Sequence, residues 1–71
     1  MSDITKIPTE ELLKDLMESS ADVAICDVCL VNDITTYSGG NVQDRKAANL
    51  GFIEKINAEL KRRQEEEKTH G

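Results

Sequence analysis

Three groups of residues in this 71-residue chain have types and spacing that could do chemistry: Cys26-x-x-Cys29, the turn Tyr37-Ser38-Gly39-Gly40-Asn41, and the bases Arg45 and Lys46 that follow it. The turn is the strongest. A glycine-containing turn at a helix start aims free backbone N–H groups at an anion, where the helix dipole also favours negative charge. Arg45 lies one turn inside that helix, Lys46 and Asn49 extend the same surface, and Tyr37 can stack on a base or use its hydroxyl. Tyr37, Ser38, Gly39, Gly40, Asn41, Arg45, Lys46 and Asn49 therefore form a candidate site for a nucleotide-like anion. The competing account is local: Gly-Gly as a permissive turn, Asn41 as a cap, Arg45 as a solvated side chain. The segment lacks the Gly-Lys-Ser/Thr ending of a P-loop, so a nucleotide triphosphatase is not supported.

The cysteines invite a zinc or redox reading, but zinc needs four ligands and the one histidine, His70, stands at the far end of the chain. Redox cysteines gain reactivity at helix N-termini, whereas these fall late in a helix among Ile25, Val28, Leu30 and Val31. Buried small hydrophobes are the better reading, and we expect no metal and no cofactor. The lone histidine also makes a nucleophile–base–orienter set implausible, so an enzyme is not expected.

The elements that position these residues are helical. Thr9 followed by Glu10 and Glu11 suits a helix start, and the first helical region is expected over 9–32, after an arm at 1–8. Leu12, Leu13, Leu16, Met17, Ala21, Ala24, Ile25, Val28 and Cys29 recur at three- and four-residue steps as one amphipathic face, with Asp22 and Asp27 on the wet side. A break at Ser19-Ser20 is the alternative, since serines compete for backbone hydrogen bonds. Asn32 is expected to end the region in a left-handed conformation. Residues 33–41 read as a connector, not a sheet, because Ser38-Gly39-Gly40 interrupts the β-branched run before a second strand begins. Asn41 caps the second helix, expected over 42–68, with Asp44 supporting its first turn and a charged end that frays toward Gly71. The fold class is all-α: a helical hairpin in one small domain spanning 1–71.

Such a domain buries only about 60% of its unfolded surface, and this one has a single Phe, a single Tyr and no Trp. Small cores often need a partner subunit, so we expect a homo-oligomeric helical bundle, its interface at Phe52, Ile53, Ile56 and Leu60. A net charge of -5 disfavours duplex nucleic acid, and no apolar run approaches a bilayer span. The N-terminus lacks the order of a secretory signal, so a cytoplasmic location with reduced thiols is expected.

From Ile34 to Leu60, the run Thr36-Tyr37-Ser38-Gly39-Gly40-Asn41-Val42-Gln43-Asp44-Arg45, then Ile53-Glu54-Lys55-Ile56-Asn57-Ala58-Glu59-Leu60, resembles small accessory proteins of temperate bacteriophages. That resemblance implies a viral protein adjusting host physiology or defence. A second, architectural likeness is to phage sponges that capture cyclic nucleotide signals, which also use short helical hairpins. Two functions follow as expectations: capture of an anionic ligand at the turn, or inhibition or adaptation of a host protein through a helical surface. For the cysteines, replacing Cys26 and Cys29 together by Ala or Val is predicted to lower stability only, by about 0.5–3 kcal/mol; stoichiometric zinc, removed by chelators with loss of helix, would refute this.

Overall fold

Pro8 has no N–H to donate and ends its extended stretch at the N-cap position, so the chain turns into a helix with Glu10 and Glu11 against the positive end of its dipole. This helix, α1, runs unbroken over Thr9–Val31. The computed structural model describes residues 3–70, with side chains over 3–67; the expected fraying at Gly71 lies outside the described residues. Thr9 was expected as the cap. It is instead the first helical residue, and its hydroxyl accepts a hydrogen bond from Arg63 at 2.8 Å. No break occurs at Ser19-Ser20 because Ser19 faces inward and is buried.

At its far end α1 stops as Asn32 donates both its backbone N–H and its side-chain Nδ2 to the Val28 carbonyl. The left-handed residue is Asp33 (φ 59°), one position later than the sequence suggested. The connector is also more ordered than expected, since β1 (Thr36–Tyr37) pairs antiparallel with β2 (Gly40–Asn41). Ser38 (φ 54°) and Gly39 (φ 82°) both take positive φ, the two-residue turn that matches strand twist. Ser38-Gly39-Gly40, expected to interrupt the extended run, instead supplies the turn that pairs its two sides. The second helix, α2, spans Val42–His70, and Asn41 caps it by accepting from the Asp44 N–H at 3.1 Å.

The two helices pack antiparallel as one layer pair, giving an elongated body of 50 × 24 × 16 Å. Near the turn Cys26, Cys29 and Val42 form a buried cluster with Leu30 against it. Toward the open end Leu12 and Ile56 are fully buried. The expected single face of α1 divides: Leu12 and Cys29 turn inward, whereas Leu13, Met17, Ala21, Ala24, Ile25 and Val28 are exposed. Nine residues spread over more of the helix circumference than one partner helix can cover.

Among the described residues, those before Pro8 are tied to α2. Ile4–Lys6 form a 3₁₀ turn capped by Asp3, and Arg63 holds it, its Nη2 donating to the carbonyls of Ile7 (2.6 Å), Ile4 (3.3 Å) and Thr5 (3.4 Å). Glu59, only 5% exposed, aims that guanidinium: its Oε2 accepts from Arg63 Nε at 2.6 Å and from Arg62 Nη2 at 2.8 Å. Arg62 also reaches Glu66, one turn further along α2, at 2.6 Å. Hydrogen bonds from Arg62, then Arg63, lower the Glu59 carboxyl from 4.5 to about 2. A carboxyl depressed on folding contributes stability at pH above about 4.5, and loses it as pH falls toward about 2. Glu59→Gln is therefore predicted to be less stable than wild type at neutral pH, with the gap closing across that acid window. Urea unfolding of both proteins at a series of pH values checks this, and a pH-independent gap would contradict it.

Candidate functional site

The turn site is assembled by register. Because α1 and α2 run antiparallel from a tight turn, the first two turns of α2 lie beside the second half of α1. Arg45 Nε donates to Asp22 Oδ2 at 2.7 Å, and Asn49 Nδ2 donates to the same oxygen at 2.6 Å and to the Arg45 carbonyl at 2.9 Å. The Arg45 guanidinium also stands 5.3 Å from the Tyr37 ring centroid, within cation–π range. The structure thus brings together Tyr37, Arg45 and Asn49, with Asp22 as the fourth member that sequence reasoning placed on the wet side of α1. Hydrogen bonding from Arg45 holds the Asp22 carboxyl below its ordinary value, and the same bond raises the Arg45 guanidinium.

Lys46 points to another carboxylate, Asp27, at 2.5 Å. Both bases expected to form a locally positive pocket are therefore already matched by acids of α1. Asn41 spends its side-chain oxygen on the helix cap, and Ser38 and Gly39 occupy the exposed tip of the strand turn. Asp22 and Asp27 thus offset the positive charge that Arg45 and Lys46 bring to this surface. Only half of this was signalled in the sequence: Asp27 and Lys46 each stand 4 residues from the helix end at the turn, whereas Asp22 and Arg45 stand 9 and 3 residues from theirs, so simple counting does not pair them.

The cysteines are buried, Cys26 at 1% and Cys29 at 6% exposure, and burial pushes the Cys26 thiol up. That is the opposite of the activation a redox thiol needs. Among the described residues no group of three or more His, Cys, Asp or Glu is placed to hold a metal ion.

Of the residues expected at an oligomer interface, Ile56 is fully buried within the hairpin and Ile53 and Leu60 are half-buried, while Phe52 is 38% exposed. The seam of α2 is used by α1 of the same chain. The unsatisfied apolar surface lies instead on the outside of α1, where Val31 is 83%, Met17 73%, Val28 62% and Leu13 45% exposed. Ala24, Ile25, Val28 and Cys29 border an apolar depression of about 270 Å³ there. Among the described residues no helix is long and apolar enough to cross a membrane. No family model matches the chain, and no match is found among curated proteins or solved structures.

The Asp22–Arg45 pair is partly exposed, 19% and 36% at the two side chains, so solvent screening reduces its strength. Asp22→Ala and Arg45→Ala are each predicted to destabilise the fold, and the double variant by less than the sum of the two. Denaturant midpoints of the four proteins measure it, and strict additivity would remove this pair from the account of the fold.

Proposed function

We propose that this protein is a non-enzymatic, cytoplasmic protein-binding module whose contact surface is the outer face of α1. The observation that carries the reading is the exposure of four large aliphatic side chains on one stripe of a helix whose opposite stripe is already packed. Single exposed apolar residues are ordinary, whereas a contiguous apolar stripe is what interaction sites present. The phage-accessory resemblance supplies a setting in which such a module inhibits or adapts a host protein.

Capture of an anion at the turn is the second reading, supported by the stacked Tyr37 and Arg45. It calls on two cations already paired within the chain, Arg45 with Asp22 and Lys46 with Asp27, so a ligand competes with two intramolecular ion pairs. The contact-surface reading needs no rearrangement.

The two are separated by affinity capture with three tagged proteins: wild type, Val28→Glu, and the Arg45→Ala, Lys46→Ala double variant, each shown to be helical by circular dichroism. Proteins and small molecules retained are both analysed. Val28→Glu is predicted to lose at least tenfold of the retained protein while the double variant keeps it. A nucleotide held by wild type and lost from the double variant would move the function to the turn.

A further inference from the structure

We propose that the occupant of the outer α1 face is a second copy of this chain, its α1 laid antiparallel to the first across a two-fold axis between Ala21 and Ala24. The inference rests on the reading above, that this face is the contact surface, and adds the identity of the partner.

The first support is area. Leu13, Met17, Val28 and Val31, with the exposed small residues between them, leave an apolar patch on the order of 500 Å², at the upper end of what a soluble monomer carries. Two such patches face to face bury on the order of 1,000 Å², the lower bound for a specific interface. A hairpin of this size has only two helices to share one core, and the second copy supplies the missing layer: the pair becomes a four-helix arrangement with both stripes of α1 covered.

The second support is shape. Along the stripe the sizes run large, large, small, small, large, large: Leu13, Met17, Ala21, Ala24, Val28, Val31. The order is the same read from either end. An antiparallel copy therefore sets Leu13 opposite Val31, Met17 beside Val28, and small residues opposite small residues at the centre, where the axes can approach. Self-complementarity of this kind is what an isologous two-fold interface demands. The third support is charge. No ionisable residue lies among those six positions, and Asp27 on their flank is already matched by Lys46, so docking buries no lone charge. Glu11, Asp15 and Glu18 lie off this stripe by helical spacing, and Glu10, three residues before Leu13, shares its face but lies beyond the end of the six positions.

Sedimentation across micromolar to near-millimolar concentration tests the proposal. Wild type is expected at twice the 7.9 kDa chain mass, and Val28→Glu and Ala24→Arg, both at exposed positions and both helical, at the single mass. Orientation is read by oxidative cross-linking: Ser20→Cys mixed with Ala24→Cys should give a covalent heterodimer in higher yield than either variant alone. A strictly monomeric wild type overturns the proposal; if Val28→Glu still loses a captured protein in that case, the contact-surface reading stands with another partner. A dimer that neither substitution weakens overturns both. Preferential cross-linking within each single variant overturns the antiparallel arrangement.

Discussion

One carboxylate oxygen sets the alignment of the molecule. Asp22 Oδ2 receives Arg45 and Asn49 together, 23 and 27 positions away in the chain, between the buried cluster of Cys26, Cys29 and Val42 on the turn side and Leu12 and Ile56 on the other. Aliphatic side chains packed against aliphatic side chains tolerate a slip of one helical turn; a charged fork and an amide meeting one oxygen do not. Polar residues inside a helix seam fix register at some expense in stability, and this layer has the composition for that task. The tight strand turn fixes the loop, and the polar layer fixes how the arms lie.

The same constraint decides what remains for binding. Once Arg45 and Lys46 are committed to Asp22 and Asp27, the turn carries little net positive charge, and its Tyr37 ring is engaged by Arg45. What is left uncommitted is apolar. α1 carries hydrophobic residues on both sides of its circumference, and α2 covers one of them. The location of the candidate surface is thus a consequence of how the intrachain pairing consumes the other groups.

Much of this fold was legible from residue spacing. The three- and four-residue apolar steps gave two helices with ends within a residue or two, and the Asn41 cap with its Asp44 partner is as the sequence implied. What spacing alone missed were features that depend on two distant segments at once. Thr9 looked like a cap because the sequence nearby cannot show that Arg63 takes its hydroxyl. Asp22 and Asp27 looked like wet-face acids because their partners stand on the other arm. The β1–β2 pairing was hidden because Ser38 is an unusual residue for positive φ, and the apolar pattern of α2, which suits an external partner as well as α1, did not reveal that Ile56 is buried within the hairpin.

The clamp of Arg63 on the first turn has a consequence for how the hairpin breathes. Its bond to Thr9 joins residues 54 apart, whereas the Asp22–Arg45 bond joins residues 23 apart, and closing a longer loop carries a larger entropic cost. Opening the far end therefore releases more chain freedom than opening the apex, while breaking only a handful of polar bonds around one guanidinium. The expected order of opening runs from the termini toward the turn. Amide protons of the first and last turns are then expected to exchange through partial opening, and those beside Cys26 and Val42 through unfolding of the whole molecule.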